Sequence, residues 1–405
     1  TTVLYEQIRD GRGVDSGLRT SPSAVTNHQS TTLDAGLRTG DVEHKPADSE
    51  LRTQIIGHNL SLGTKLYGRQ AELASLRKWI VEDGCQLVGI FGIGGQGKTA
   101  LAATLVRELE ETTLPAGAGG LFTHILWQSL VNAPPLAEVI QEWVYVLSDQ
   151  TVTTLPNSLD QQFGLLLDYL RRHRCLLILD NLESILQQDE RSGDYRPGYE
   201  TYGQLVHRLL AGGHRSCLLL TSRERPQDLS HLEEVTPTAR SLSLTGLSAA
   251  AGRQMLAGRG LSAQLAGLDA LVQHYSGNPL ALKLTAETIQ EIFDNNIAAF
   301  LQADTLVFDD VRDVLDQQFA RLTPLERELL LWLAIVREPV PFNTLRTLLA
   351  QPPAPHLILE AMRSLQRRSL LEKFAEGFGL QNVVTEYTTA LLIESVVREL
   401  LDDKL

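Results

Sequence analysis

Residues 92–99 have the types and spacing of a loop that binds phosphate groups. They read Gly-Ile-Gly-Gly-Gln-Gly-Lys-Thr and fit the pattern G-x-x-x-x-G-K-[ST] at every position. Glycines let the backbone curl so that several N–H groups face one anion, and a helix that starts there adds positive potential. We expect Lys98 to reach the β- and γ-phosphates of a nucleotide and Thr99 to hold Mg²⁺. The residues of this segment expected to contact the nucleotide are Gly92, Gly94, Gly95, Gln96, Gly97, Lys98, Thr99 and Ala100.

A carboxylate at the end of an apolar run is the second expected part of this site. The run Cys175–Asp180 reads Cys-Leu-Leu-Ile-Leu-Asp. If it is a strand of the same sheet, Asp180 lies at the carboxyl edge, where it can bind Mg²⁺ together with Thr99. The next residue, Asn181, cannot accept a proton. Glu183 is therefore the candidate base for hydrolysis, and the alternative is a surface Glu that caps a helix.

An arginine follows a third apolar run. Residues 216–221 are strand-like, and Ser222 and Arg223 come directly after them. At the carboxyl edge of the sheet, Arg223 is expected to sense the γ-phosphate. The alternative is a solvated Arg that begins a loop before Pro226.

These runs belong to a pattern in which strand-like and helix-like stretches alternate. The strand-like runs occupy 86–91, 121–128, 175–180 and 216–221. Helical spacing fills the intervals between them. Alternation of this kind predicts a parallel sheet with crossover helices.

After about residue 240 the strand-like runs give way to helical spacing. This spacing fills five segments: 248–258, 264–276, 279–292, 308–320 and 323–335. A further helix near 354–369, two short apolar runs and a long closing helix then follow. Two helices followed by a hairpin are typical of a winged helix.

Composition and charge exclude several classes of protein. The formal net charge is −13, which weighs against a nucleic-acid binder. The three cysteines form no ligand motif, so a disulfide scaffold and a structural zinc site are not expected. No apolar stretch reaches about 18 residues and no secretory leader is visible, so a cytoplasmic protein without membrane contact is expected.

The N-terminal segment differs from the rest of the chain. Thirteen of the first 50 residues are hydrophobic, against 43% of the whole sequence. Such a segment buries too little apolar surface to offset its chain entropy, so residues 1–60 are predicted to be disordered. The phrase Asp-x-x-Leu-Arg-Thr occurs there three times. It is interpreted as duplicated linker sequence or as a repeated docking peptide.

Taken in order, these motifs resemble the NB-ARC class of STAND nucleotide-binding switches. The resemblance covers roughly residues 66–400 and is closest to bacterial members that carry WD40 or other repeats. The motifs on which this resemblance rests are Leu66-Tyr-Gly-Arg69, the loop 92–99, Trp127-Gln-Ser-Leu130, Leu179-Asp-Asn181, Thr221-Ser-Arg223, Leu244-Thr-Gly-Leu247 and Gly277-Asn-Pro-Leu-Ala-Leu282.

The resemblance implies an α/β P-loop NTPase domain followed by a small helical domain and a winged-helix domain. We place these three domains at 61–238, 239–303 and 304–405. The implied ligands are ATP or ADP with Mg²⁺.

The resemblance also implies roles for four residues outside the phosphate loop. Tyr67 and Arg69 would lie along the adenine and ribose, and Pro279 would pack on the base with its rigid apolar face. The family often reads the ADP β-phosphate through a histidine of the winged helix. Here Gln381 stands at that place, and it can donate a hydrogen bond but carries no charge.

The function implied is a signalling or defence switch. ADP holds the domains closed, and ATP opens them and promotes self-association, with slow hydrolysis resetting the state. The effector and sensor partners are not identified by the sequence. The alternative is an ATP-dependent transcription regulator whose winged helix binds DNA. The basic residues that favour this alternative are Arg363, Arg367, Arg368 and Lys373, which could equally form a solvated face or an interdomain contact.

Overall fold

A computed structural model describes residues 54–56, 65–111, 121–187, 193–262, 264–302, 309–349 and 352–402. The predicted disorder of the N-terminal segment, apart from residues 54–56, lies outside these ranges. Within them, no helix is both long enough and apolar enough to cross a membrane.

A six-stranded parallel sheet forms the first half of the described chain. Its strands are β1 (Gln54–Ile56), β2 (Leu87–Phe91), β3 (His124–Ser129), β4 (Cys175–Asp180), β5 (Cys217–Ser222) and β6 (Ala239–Ser243). Their order across the sheet is β1-β3-β4-β5-β2-β6, and every pair is parallel. Every residue of β2, β4 and β5 is buried, as expected for central strands covered by helices on both faces. The predicted parallel sheet with crossover helices is confirmed.

Helices cover both faces of this sheet. They are α1 (Gln70–Arg77), which continues as a π-helical turn (Lys78–Glu82), α2 (Lys98–Glu111), α3 (Leu136–Leu147), α4 (Leu159–Arg172), α5 (Glu200–Ala211) and α6 (Gln227–Val235). One core joins α1 and α2 to one face, and another joins α3, α4, α5 and α6 to the other. A short 3₁₀ turn, Leu182–Ile185, follows β4.

Helices dominate the rest of the chain. The first group is α7 (Ala249–Gly258), α8 (Leu268–His274), α9 (Pro279–Ile292) and α10 (Ile297–Gln302). The second group, called here the C-terminal lobe (309–402), comprises α11 (Asp309–Phe319), α12 (Pro324–Val336), α13 (Phe342–Leu348), α14 (Pro355–Arg367), the hairpin β7 (Glu372–Lys373) and β8 (Phe378–Gly379), and α15 (Asn382–Asp402). One hydrophobic core runs through both groups and also takes in Ile93 of the phosphate loop.

Two strands differ from the predicted domain boundaries. β1 pairs with β3, so the sheet begins before the predicted boundary at residue 60. β6 pairs with β2 over Ala239–Ser243, so the sheet also extends past the predicted boundary at 238. Both are edge strands. An edge strand has one neighbour and exposes polar side chains, and the sequence Ala-Arg-Ser-Leu-Ser of β6 therefore lacks the apolar run of a central strand.

Candidate functional site

The phosphate loop connects the end of β2 to the start of α2, as the motif requires. Gly95 and Gly97 have φ angles of +81° and +87°, a region that side chains with a Cβ rarely adopt. A Cβ at Gly95 would also come within 2.7 Å of the side-chain oxygen of Asn278. Glycine at this position therefore serves both the curl of the loop and its close contact with α9.

Lys98 is buried at the start of α2. Its side chain is 7% exposed, and its Nζ donates to the carbonyl oxygens of Gly92 at 2.7 Å and Ile93 at 3.0 Å. Burial lowers the pKa of Lys98 to about 8, and the nearby Glu183 carboxylate partly opposes that shift. The loop thus holds a cation in a desolvated place, where an anionic phosphate would bind it strongly.

Nucleotide affinity is expected to fall as the pH rises through about 8. Lys98 loses its proton there, and phosphate prefers the charged form. The pKa of Lys98 is lowered from 10.5 to about 8, so between pH 8 and pH 10.5 the folded chain binds fewer protons than the unfolded chain. The contribution of Lys98 to the free energy of unfolding therefore rises with pH across this range. Titrations of ADP below, at and above pH 8 measure the effect. Constant affinity across this range would contradict it.

Thr99 and Asp180 lie together at the carboxyl edge of the sheet. The Thr99 hydroxyl donates to a carboxylate oxygen of Asp180 at 3.0 Å, and the Thr221 hydroxyl donates to the same oxygen. Burial raises the pKa of Asp180, whereas these two hydrogen bonds lower it. A hydroxyl and a carboxylate are hard oxygen ligands, so this pair fits Mg²⁺.

Glu183 holds Arg223 at the end of β5. One carboxylate oxygen accepts from the Ser222 hydroxyl and from the Arg223 backbone N–H, both at 3.1 Å, and the other lies 3.2 Å from the Arg223 Nε. The carboxylate is therefore already engaged by three donors. Its role as the base of hydrolysis stays a prediction.

Asn181 occupies a left-handed backbone conformation between β4 and the 3₁₀ turn. Its φ and ψ angles are 64° and 48°, and its N–H donates to the Thr221 hydroxyl. Asn is among the few residues with a side chain that adopt this conformation readily. The backbone conformation thus gives a reason for Asn at position 181.

A cavity of about 370 Å³ opens above the loop. Predicted residues that line it are Tyr67, Arg69, Gly94, Gly95, Gln96, Gly97, Lys98, Thr99, Ala100, Arg223 and Pro279. Lining residues that the sequence did not predict to contact the nucleotide are Lys65, Leu66, Asn181, Leu247, Met255, Arg259, Leu280 and Lys283. Four predicted residues, Gly92, Asp180, Glu183 and Gln381, do not line the cavity. Its wall combines a polar phosphate loop with apolar side chains of α7 and α9.

Arg69 has a structural contact as well as a place in the cavity wall. It is 4% exposed and donates to the Glu72 carboxylate at 2.8 Å and to the Thr245 carbonyl. These bonds tie the start of α1 to the segment after β6. The predicted contact with the ribose would have to be made by a guanidinium that already has two partners.

Asn278 contacts the phosphate loop, a role that the sequence did not predict for it. Its side-chain oxygen caps α9 by accepting from the N–H groups of Leu280 and Ala281, and its Nδ2 donates to the Gly94 carbonyl at 3.1 Å. Asn before a Pro at the first helical position is a local signal for the cap. The hydrogen bond to Gly94 has no such local signal in the sequence, because the two residues are 184 positions apart.

Gln381 reaches the site indirectly. Its side-chain oxygen accepts from Gln96 Nε2 at 3.3 Å, and its own Nε2 donates to Glu372. Gln96 is 1% exposed, and its Oε1 has no hydrogen-bond partner among the described residues. The C-terminal lobe therefore contacts the phosphate loop through a pair of amides, and an orphaned buried polar atom faces this junction.

The basic residues near the hairpin do not form one surface. Arg368 is 1% exposed and pairs with Glu224 of the α/β part at 3.2 Å, whereas Arg363 and Lys373 are exposed. Of the interpretations offered for Arg368, the interdomain contact is the one the structure supports. The charge available for a DNA-binding face is correspondingly smaller.

Comparison with known proteins agrees with this geometry. Residues 86–261 match the NACHT domain family. The chain is 45% identical over 341 residues to an uncharacterised WD repeat-containing protein of Nostoc sp., and the match covers 82% of this chain and 27% of that protein. The chain thus spans about a quarter of the length of this curated relative.

One solved structure shows a similar fold at low sequence identity. A Walker-type ATPase of Pyrococcus abyssi superposes with a TM-score of 0.51 at 13% identity, covering 80% of this chain and 96% of that one. A STAND protein of Pyrococcus horikoshii with a tetratricopeptide repeat sensor gives a TM-score of 0.40 at 17% identity over 84% and 44% of the two chains. The first likeness concerns the fold alone, and the second is too loose to add to it. Together, the family match and the complete phosphate loop indicate that residues 86–261 are similar to NACHT domains and have the fold of a nucleotide-binding P-loop NTPase.

Proposed function

We propose that this chain is an adenine-nucleotide switch that rests with ADP and is activated by ATP. The observation that carries the proposal is one cavity that two parts of the chain line and that a third part contacts through two of the lining residues. The phosphate loop forms its floor, α7 and α9 contribute apolar wall, and the C-terminal lobe contacts Gln96 and Arg223 through Gln381 and Gln317. A ligand bound there would favour one arrangement of these parts over another, which is the requirement for a switch.

The residues present fit a magnesium nucleotide. Lys98 and the loop N–H groups would hold the phosphates, and Thr99 with Asp180 would hold Mg²⁺. The metal would supply charge neutralisation between the phosphates. Tyr67, Leu247, Met255 and Pro279 supply the apolar surface that a base requires.

The finer parts of the proposal rest on the motif order and on the hairpin of the C-terminal lobe. We assign the chain to the NB-ARC subclass, the lobe to a winged-helix domain, and the activated state to a self-associating form that signals to effector and sensor partners. In this scheme the protein acts in the cytoplasm.

The direct test is to identify the nucleotide that the purified protein carries. Chromatography of the nucleotide released on denaturation should yield ADP at close to one per chain. Release of a guanine nucleotide would contradict the proposal, and so would the absence of bound nucleotide after the protein has been incubated with ADP.

Pro279→Ala is expected to weaken the preference for ATP over GTP. Pro279 begins α9 and lines the cavity beside Leu280, so its ring offers a rigid apolar face with no competing N–H. Competition of ATP and GTP against a fluorescent ADP analogue measures the ratio. Pro324→Ala, at the matching first position of α12, is the control. An unchanged ratio in the Pro279 variant would remove Pro279 from the base-binding wall.

Turnover of ATP is expected to be far below the median of about 10 s⁻¹ for enzymes. The candidate base Glu183 is engaged by Arg223 and Ser222, and a misplaced base costs a factor of about 10²–10⁴. Glu183→Gln should spare ATP binding and lower the remaining turnover, as measured by phosphate release. If the variant hydrolyses ATP as fast as the parent, Glu183 is not the base. If the parent turns over tens of ATP per second alone, the switch itself is excluded.

A further inference from the structure

A buried cluster of charged side chains joins the end of β5 to the C-terminal lobe. Glu224 directly follows Arg223 and is 1% exposed. Its carboxylate lies 2.9 Å from Arg321 and 3.2 Å from Arg368, and Glu326 lies 3.9 Å from the Nε of Arg368. Removing one partner from a buried ion pair leaves an uncompensated charge, which is strongly unfavourable. This cluster therefore favours one placement of the lobe against β5.

Arg321 also binds the turn that carries Glu183. Its Nη2 donates to the carbonyl oxygens of Glu183 at 3.0 Å and Leu186 at 3.1 Å. The Glu183 carboxylate holds Arg223 in turn, and Arg223 lines the cavity. A single guanidinium of the lobe thus contacts the chain after β4 and the chain after β5, the two segments that flank the site.

Resting on the switch proposed above, we propose that Arg321 is a positioning residue of the nucleotide site. Together with Glu224 and Arg368 it forms an interdomain clasp that holds the lobe in the arrangement that retains ADP. Two further contacts join the lobe to the site, Gln317–Arg223 at 3.4 Å and Gln381–Gln96 at 3.3 Å, but they lack the buried charge pairs of the clasp.

Loss of the clasp frees the turn after β4 and the lobe, which contact Arg223 and Gln96 of the cavity wall. Without Arg321, the 3₁₀ turn and the residue that follows it each lose one charge-assisted hydrogen bond, and Glu224 loses one of its two cations. The turn and the lobe can then move away from the cavity, and bound ADP leaves faster. The phosphate loop itself is untouched, so ADP should still associate at the parent rate.

The test is the release rate of a fluorescent ADP analogue from the preloaded full chain, chased with excess ATP. Arg321→Met should release it at least about tenfold faster than the parent, because charge-assisted bonds are lost. Arg321→Lys keeps a charge near Glu224 but loses the planar fork, so its rate should be intermediate. The matched control is Arg337→Met, which removes an exposed ion pair with Glu386 inside the lobe and should release at the parent rate.

Each outcome decides for or against the clasp. If folded Arg321→Met releases the ADP analogue at the parent rate, the clasp is overturned. It is also overturned if the association rate of ADP falls by as much as the release rate rises, because that result would indicate general damage to the site. If the Met variant does not fold, parent-like release from Arg321→Lys overturns it. A parent chain that binds no ADP at all is the separate failure of the switch itself.

Discussion

The Lys98→Ala variant is expected to bind ADP and ATP more than about tenfold more weakly than the parent chain, because a desolvated charge-assisted contact is worth about 1.5–3 kcal/mol. In the structure, Lys98 Nζ donates to the neutral carbonyl oxygens of Gly92 and Ile93, which compete weakly with a phosphate for the ammonium group. Lys98 is also buried, so little water reaches it. Isothermal titration calorimetry measures the affinity directly.

The control for Lys98→Ala is Lys78→Ala, which removes an equal charge from an exposed position after α1. It should bind both nucleotides as the parent does. Equal affinity of the Lys98 variant and the parent, with both folded, would refute the phosphate loop as the binding site.

Asp180→Asn is expected to remove most of the gain in ATP affinity that Mg²⁺ gives. Asp180 shares a hydrogen bond with Thr99 and is buried, so Asn keeps the shape while it removes the charge that a divalent cation requires. The loss should be about tenfold or more, since a bound metal contributes several kcal/mol of charge stabilisation. ATP titrations with and without Mg²⁺ measure the gain.

Asp168→Asn is the matched control for the metal site, because Asp168 is exposed and pairs with Arg171 on the surface of α4. It should retain the full Mg²⁺ effect. Should Asp180→Asn retain that effect as well, the metal ligands would have to be sought elsewhere.

The sequence was most informative where the signal is local. The buried strands Leu87–Phe91, Cys175–Asp180 and Cys217–Ser222 begin and end within about one residue of their apolar runs, because central parallel strands need apolar side chains on both faces. The phosphate loop was recognisable for the same reason, since its glycines and Lys98 are contiguous in the chain.

Features that depend on distant partners could not be read in this way. The edge strands Gln54–Ile56 and Ala239–Ser243 take their stability from a neighbour and lack an apolar run. Glu224 meets Arg321 and Arg368 across 97 and 144 positions. Of these three residues the sequence pointed only to Arg368, and it could not identify the partner of Arg368. The engagement of Glu183 by Arg223 was likewise not recognisable from the sequence, because 40 positions separate the two residues.

The burial of Ile93 has a consequence for the order in which the chain acquires its structure. This side chain belongs to the phosphate loop but is covered by the helical core that includes Leu247, Leu256 and Leu282. During synthesis the loop is therefore complete long before the residues that cover it leave the ribosome. Contacts between residues so far apart in the sequence form late, because the chain must lose the entropy of closing a long loop before the contacts can stabilise it. A nascent chain that ends before Asn278 would lack the hydrogen bond from Asn278 to Gly94 and the α9 residues that cover this loop. Competence to hold nucleotide should therefore arise only after the helical segment has folded.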